Sequence, residues 1–348
     1  MNSKLSHILA LSGEPALILE YGRIAYANAG AEHILGPCVG ERADRFFCAE
    51  CTASHARSFV VSMQLNDAPY LLRINRLDEG RLVFLQRQEE LPVVLNDSFL
   101  YNLRSNLMTL GVAADKLRPA AEDLQQRGML EDLTSLTSGT FKLMRLSDNV
   151  SLVRDLSAHR ATISPVELDL ALLCHSVLDA VEDVLPGIGL MREMPELLRL
   201  NADPKLIKLL LFNLLSNCLI HAQSKLIQVR LRDAGDRVLL SVGDNGRGIP
   251  AEALSTVFDR YRYDFGLSQM SQGAGLGLTA VRGIAQLHGG TLLLESRQDQ
   301  GTLVQVSFSK RLGSTRMQMD SDLCSMRDVL LGLADCLPLS CFEEKYLD

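Results

Sequence analysis

The run VLLSVGDNGRGIP, residues 238–250, alternates as a β-strand and stops on the carboxylate of Asp244, then turns through Gly246 and Gly248. A strand ending this way sets an acceptor at a sheet edge, and the glycines let backbone approach whatever the carboxylate binds. Upstream, DPKLIKLLLFNLLSNCLIHA (203–222) has the spacing of an amphipathic helix and carries Asn213 and Asn217 one turn apart on one face. An amide oxygen is a neutral, hard ligand suited to a magnesium ion already held by phosphates. Downstream, GAGLGLTAVRGIAQLHGG (273–290) places Gly273, Gly275, Leu276 and Gly277 where a helical pattern begins. Backbone N–H groups at such a start can cradle phosphate. Each piece alone is a weak signal, since paired asparagines, Asp-Asn-Gly turns and glycine runs are common. Their order and spacing carry the reading.

That order resembles the ATPase domain of sensor histidine kinases and its wider superfamily, over about residues 163–311. The glycine-rich loop does not open a βαβ unit, which argues against a dinucleotide fold. The resemblance implies an α/β sandwich that binds ATP with Mg2+. It assigns Asn217 as the magnesium ligand, Asn213 as the residue orienting phosphoryl chemistry, Asp244 as the adenine-reading carboxylate, and Gly246 and Gly248 as its glycines. Gly275 and Gly277 match the second glycine box, with Gly273 closing a lid over 263–274. Phe258 and Tyr261 resemble the aromatic box that anchors the lid, and Gly301-Thr302 the closing Gly-Thr. One departure concerns affinity. The family's Lys, three residues after the magnesium-binding Asn, is here Ile220. Losing that cation should cost charge-assisted contacts of about 1.5–3 kcal/mol unless Arg260 or Arg262 substitutes.

Working outward, residues 94–158 change character. Phe99, Leu103, Leu107, Leu110, Ala114 and Leu117 follow spacings of 4, 4, 3, 4 and 3, a stripe close to a coiled-coil seam. Pro119 and Gly128 bracket a break, and Leu136, Leu143 and Val150 then recur every seven residues. Two long amphipathic helices make a hairpin, and two copies would form a four-helix bundle. Docking within the chain is the alternative.

In the family the first hairpin helix carries the phospho-accepting His, in a signature like His-Glu-Leu-Arg-Thr-Pro-Leu. Here the frame reads Tyr101-Asn102-Leu103-Arg104-Ser105-Asn106-Leu107, with Tyr101 at the acceptor position. A phenol of pKa about 10 is protonated at neutral pH and needs a base, and the amide of Asn102 cannot take a proton. Of the seven histidines, His7, His33, His55, His159, His175, His221 and His288, none lies in that helix. Ordinary His autophosphorylation at this site is excluded. Two function classes follow. One is a degenerate, ATP-binding regulator in two-component signalling that pairs with a kinase or a response regulator. The other is an active ATP-dependent phosphotransferase of the sensor histidine kinase type whose acceptor lies outside this chain.

At the N-terminal end, PALILEYGRIAYANA (15–29) reads as two strands about a turn at Tyr21–Gly22, and SFVVSMQL (58–65), YLLRINRL (70–77) and RLVFLQRQ (81–88) as three more. GRIAYANAGAEHILG resembles the opening of a PAS domain, through Asn28 and Leu35-Gly36. Within this region Cys38, Cys48, Cys51 and His55 could supply four ligands for zinc or an iron–sulfur cluster, or could be ordinary reduced thiols. A second tight Cys pair is lacking, which favours the thiols.

Composition sets the frame. The 348 residues suffice for two or three domains, and 47% hydrophobic against 22% charged residues supports packed cores. A net charge of −7 offers no basic face for nucleic acid. No run reaches the roughly 18 apolar residues of a membrane span, and the N-terminus makes a poor signal peptide. Eight cysteines without an export signal read as reduced thiols. The expected protein is therefore cytoplasmic, homodimeric through its hairpin and multidomain α+β. Its expected divisions are a PAS-like sensor domain (1–90), a helical hairpin (91–160), a histidine-kinase-type ATP-binding domain (161–312) and a helical tail (313–348). In the tail, Leu323, Met326, Leu330 and Leu333 fall at helical spacing, for packing back on the ATP-binding domain or docking a partner.

Overall fold

Tyr21 and Gly22 both adopt positive φ (51° and 74°), and this turn folds strand β1 (Ala16–Glu20) back on β2 (Arg23–Ala27). The computed structural model describes residues 3–66, 68–78, 80–88, 97–220, 224–250, 254, 276–313 and 323–343. Helix α1 (Ser3–Leu11) precedes this hairpin, and α2 (Ala29–Leu35) follows it, N-capped by Asn28, whose Oδ1 accepts from the Ala31 amide at 3.0 Å. The same buried oxygen accepts from the Ala16 amide, tying cap to strand. A short helix α3 (Glu50–Ala53) then leads into the antiparallel strands β3 (Ser58–Leu65), β4 (Ala68–Leu77) and β5 (Gly80–Arg87).

Two long helices come next, α4 (Asp97–Asp123) and α5 (Arg127–Ser157). The break between the two helices falls between Pro119 and Gly128, as the sequence suggests. Pro119 lies inside α4, and the turn spans only residues 124–126, with Gln125 at φ 53°. Next to the proline, buried Arg118 donates to Thr134, Thr137 and the carbonyl of Phe342, which holds the helix through the lost hydrogen bond. The heptad reading also picked out a face that stays open, as Leu136 and Leu143 are 42% and 48% exposed. The covered face of α5 is instead built from Thr134, Thr137, Ser138, Thr140, Phe141, Met144 and Arg145.

The rest of the chain runs β6 (Val166–Asp169), α6 (Leu170–Val184), β7 (Gly189–Glu193), β8 (Arg199–Ala202), α7 (Pro204–Ile220), β9 (Leu226–Asp233), β10 (Arg237–Asp244), α8 (Leu276–Leu287), β11 (Leu292–Ser296), β12 (Thr302–Ser309) and α9 (Met326–Gly332). Ile227, Val229 and Leu231 alternate inward from β9, as do Val238, Leu240 and Val242 from β10, onto the apolar faces of α6, α7 and α8. This half is an α/β sandwich, with β6 and β8 pairing separately beside it.

The strands form one ten-stranded sheet in the order β2-β1-β5-β4-β3-β11-β12-β10-β9-β7. The two halves meet where β3 pairs antiparallel with β11, Val60 opposite Leu294 and Val61 opposite Leu293. Alternation carries both cores across the seam: Val60 and Leu71 enter the sandwich core, while Leu293 enters the N-terminal one. Two side-chain ties flank it, Ser54 donating to Glu295 and Arg282 of α8 donating to Gln88.

Beyond the sandwich the tail packs back. Ser325 and Asp328 form a capping box at the start of α9, and Lys208 of α7 pairs with Asp328 at 2.8 Å. Val329, Leu330, Leu333 and Ala334 are fully buried in the sandwich core, and Phe342 stacks at a tilt on Phe141 of α5.

Candidate functional site

Asp203 starts the site helix. Its Oδ1 accepts from the amides of Lys205 and Leu206, and Pro204 occupies the first helical position, where a missing N–H costs nothing. Seventeen residues of α7 then carry Asn213 and Asn217 to their places. Asn213 is 1% exposed, whereas Asn217 is half-buried.

At the far end of α7, Cys218 donates to the Asp244 carboxylate, so the last turn of the helix lies against the end of β10. Asp244 Oδ1 also accepts from the Gly246 amide at 2.8 Å. Burial pushes the Asp244 carboxyl above its ordinary value, against the pull of the Gly246 and Thr302 amides and the Cys218 thiol. Burial first, and then the Asp244 charge, push the Cys218 thiol up, so it remains a neutral donor.

Gly248 sits at φ 62°, and a Cβ there would lie 1.9 Å from the carbonyl oxygen of Arg297. Gly301 repeats the device, with φ 86° and a Cβ position 1.9 Å from the carbonyl oxygen of Asp244. These two glycines let the 244–248 loop lie directly on the 297–301 turn. Ser296 Oγ fastens the pair, accepting from the Ile249 amide and bonding Thr302 Oγ1. Gly277 and Leu276 open α8. A Cβ on Gly277 would meet Asn213 Oδ1 at 3.2 Å, so the helix start and Asn213 are in contact. Leu276 is buried with Ala280 against Val153 of α5.

The structure thus brings together Asn213, Gly277 and Leu276 at one end, and Asp244, Gly246, Gly248 and Thr302 at the other, with Asn217 on the turn between. Gly273, Gly275, Phe258, Tyr261, Arg260, Arg262, His221 and the lid 263–274 lie outside the described residues. A half-buried carboxyl at a strand end fits an adenine amine. The Asn217 amide fits a phosphate-bound magnesium ion by its chemistry.

Asn213 is engaged elsewhere. Its Nδ2 donates to Asn149 Oδ1 at 3.1 Å, and its Oδ1 accepts from Asn149 Nδ2 at 3.4 Å and from Arg145 Nη2 at 3.3 Å. Arg145 also pairs with Asp335 of the tail at 2.8 Å. Sequence reading did not single out Arg145 or Asn149. Their signal was present, a charged and an amide residue four apart on one helix face, but such pairs usually face solvent. Tyr101 is 75% exposed, and its neighbour Arg104 pairs at 2.8 Å with Asp148, the residue before Asn149.

The N-terminal cysteines divide. Cys48 and Cys51 bring their sulfurs to 3.4 Å. Cys38 is fully buried and His55 exposed, and among the described residues no group of three or more His, Cys, Asp or Glu is gathered for a metal ion. Among the described residues, too, no helix is long and apolar enough to cross a membrane.

Residues 202–312 match the family described as histidine kinase-, DNA gyrase B-, and HSP90-like ATPase. Sensor histidine kinase ZraS of Klebsiella oxytoca is 41% identical over 112 residues, 31% of this chain and 23% of that protein. Sensor histidine kinase YkoH of Bacillus subtilis is 35% identical over 150 residues, 43% of this chain and 33% of that protein. Among solved structures, full-length ShkA in complex with AMPPNP is 21% identical with a TM-score of 0.48, over 62% of this chain and 46% of that one.

Proposed function

We propose that this chain, whose residues 202–312 match the histidine kinase-, DNA gyrase B-, and HSP90-like ATPase family and which spans a third or less of the sensor histidine kinases ZraS and YkoH, is a histidine-kinase-like, ATP-binding regulator of two-component signalling that does not phosphorylate itself on histidine. The observation that carries the reading is the state of the hairpin. Its acceptor position holds an exposed Tyr101 with an amide beside it, while its second helix occupies Asn213 through Asn149 and Arg145. A phenol with only an amide beside it lacks an adjacent base to take its proton.

In this reading Asp244 accepts from the adenine amine, Gly246 gives the base room, Gly248 seats the loop on the 297–301 turn, and Thr302 holds Asp244 through its backbone amide. Asn217 offers its oxygen to magnesium, and the glycine-rich run of Gly273, Gly275, Leu276 and Gly277 receives the phosphates. Magnesium ATP, when bound, supplies the charge that competes for Asn213. The order of the N-terminal strands, β2-β1-β5-β4-β3, supports a PAS-like sensor there. Exposed Leu110, Leu117, Leu136 and Leu143 on the hairpin support pairing with a second copy, as a cytoplasmic homodimer. A response regulator or true kinase is the proposed partner.

The test is incubation of the purified chain with γ-labelled ATP and magnesium. No label on the chain is the expected result. Label on a histidine overturns the reading, and label passed only to an added partner replaces it with an active phosphotransferase.

A further inference from the structure

A Cys-x-x-Cys pair whose sulfurs lie 3.4 Å apart needs little motion to reach the roughly 2.05 Å of a disulfide bond. Cys48 is half-buried, open to a small oxidant, and Cys51 is buried with its sulfur facing that of Cys48. The pair sits at the start of a segment that is wired to the sandwich. Arg81 donates to the carbonyls of Cys51 (3.1 Å), Thr52 (2.6 Å) and Ser54 (2.8 Å), so the backbone from 51 to 54 moves as one piece. The Ser54 hydroxyl, itself braced by accepting from the Ala56 amide, donates to Glu295 on β11. That strand is the one through which the two halves of the sheet join.

We propose that Cys48 and Cys51 are a reversible dithiol–disulfide site for hydrogen peroxide, and that its state reaches β11 through Ser54. The Cys48 thiolate attacks the outer peroxide oxygen, and the O–O bond breaks. This leaves a sulfenic acid on Cys48 and releases water once a proton is taken up. The Cys51 thiolate then attacks the Cys48 sulfur, forming the S–S bond and expelling hydroxide, which leaves as a second water. Two thiols lose two electrons and two protons to the peroxide, and an external thiol returns them. Closing the bond draws Cys51 toward Cys48, and the Arg81-held carbonyls with it.

The pair lies alone in the tryptic peptide FFCAECTASHAR, residues 46–57, which makes its state readable among eight cysteines. The full chain is treated with hydrogen peroxide, free thiols are blocked, and the peptide is weighed. It should lose the mass of two hydrogen atoms and regain it on treatment with dithiothreitol. Hydrogen exchange of the amides at 292–296 should shift on oxidation. In Ser54→Ala the peptide should oxidise as before, with the shift at 292–296 gone. A peptide that stays reduced while Cys324 is oxidised overturns the site. Oxidation with unchanged exchange at 292–296, or a shift that survives Ser54→Ala, overturns the route. Neither readout uses nucleotide, so the result is independent of ATP binding.

Discussion

Asn149 and Asn213 exchange two hydrogen bonds, amide to amide, across the contact between the hairpin and the sandwich. Both side chains are buried, so neither can turn to water while the contact holds. Whatever needs Asn213 must first displace Asn149. Replacing Asn149 with Leu should remove that competitor, at a net loss of about 1 kcal/mol per hydrogen bond in the unliganded fold. Binding of magnesium ATP should tighten about 3- to 10-fold, because the liganded state no longer has to break the exchange. Titration calorimetry of the two proteins reads this. Unchanged affinity means that Asn213 plays no part in nucleotide binding.

The same contact can be prised apart from the apolar side. Gly283 of α8 faces Leu156 of α5, and a Cβ there would lie 2.1 Å from Leu156 Cδ1. Gly283→Ala should cost about 1–3 kcal/mol by overpacking. The loss should show as faster hydrogen exchange in α5 and α8, with β9 and β10 unaffected. Gly332→Ala, whose Cβ would fall 2.2 Å from Phe212 Cγ, should instead release the tail. Comparing the two variants separates the grip of the hairpin from the grip of the tail.

Asp244 is the residue on which base recognition should depend. Asp244→Ala removes a charge-assisted acceptor worth about 1.5–3 kcal/mol, so ATP affinity should fall roughly 10- to 100-fold. Stability of the free protein should change little. Burial already holds the folded-state carboxyl above its ordinary value, so its ionised form is disfavoured by the fold near neutral pH. Relief of that cost offsets the lost bonds to Gly246 and Cys218. A thermal melt without nucleotide, beside a binding titration, checks both halves.

His288 should make the fold acid-sensitive. Its Nε2 accepts from the Asp203 amide at 3.1 Å, which fixes the neutral tautomer with Nδ1–H donating to the Ile284 carbonyl at 2.8 Å. Burial pushes its pKa below the ordinary 6.5. The unfolded chain therefore takes up this proton first as pH drops. The His288 contribution is complete above about pH 6.5 and is lost as pH falls through the lower folded-state value. Urea unfolding at pH 7.5 and at 5.5 should show the loss, and His288→Leu should flatten this part of the profile. Since Asp203 caps α7, the loss reaches the helix that carries Asn213.

Local chemistry explains which parts were legible in sequence. The run from Asp203-Pro204 reads as a helix and Asp244 as a strand end within a few residues, whereas the close backbone contacts of Gly248 with Arg297 and of Gly301 with Asp244 were not legible, since each partner lies on another turn. The hairpin was legible only in outline. Leu136 and Leu143 repeat every seven residues, yet they mark the open face, because the covered one is supplied by Thr134 and Thr137, which accept from Arg118, and by Arg145, which pairs with Asp335 of the tail. Nothing near Val60 or Leu294 announces that their strands will pair. A backbone ladder between segments some 230 residues apart is specified by register and shape, not by a motif. Asn149 stayed hidden for a related reason, since its partner lies on another element.

The seam between β3 and β11 carries one more implication. Were the halves to part there, each would present a bare strand edge with unpaired N–H and C=O groups, the kind of surface that recruits foreign strands. Any message crossing this seam must therefore travel as a change of twist within an intact sheet, because a hinge that opened would leave the protein vulnerable to aggregation.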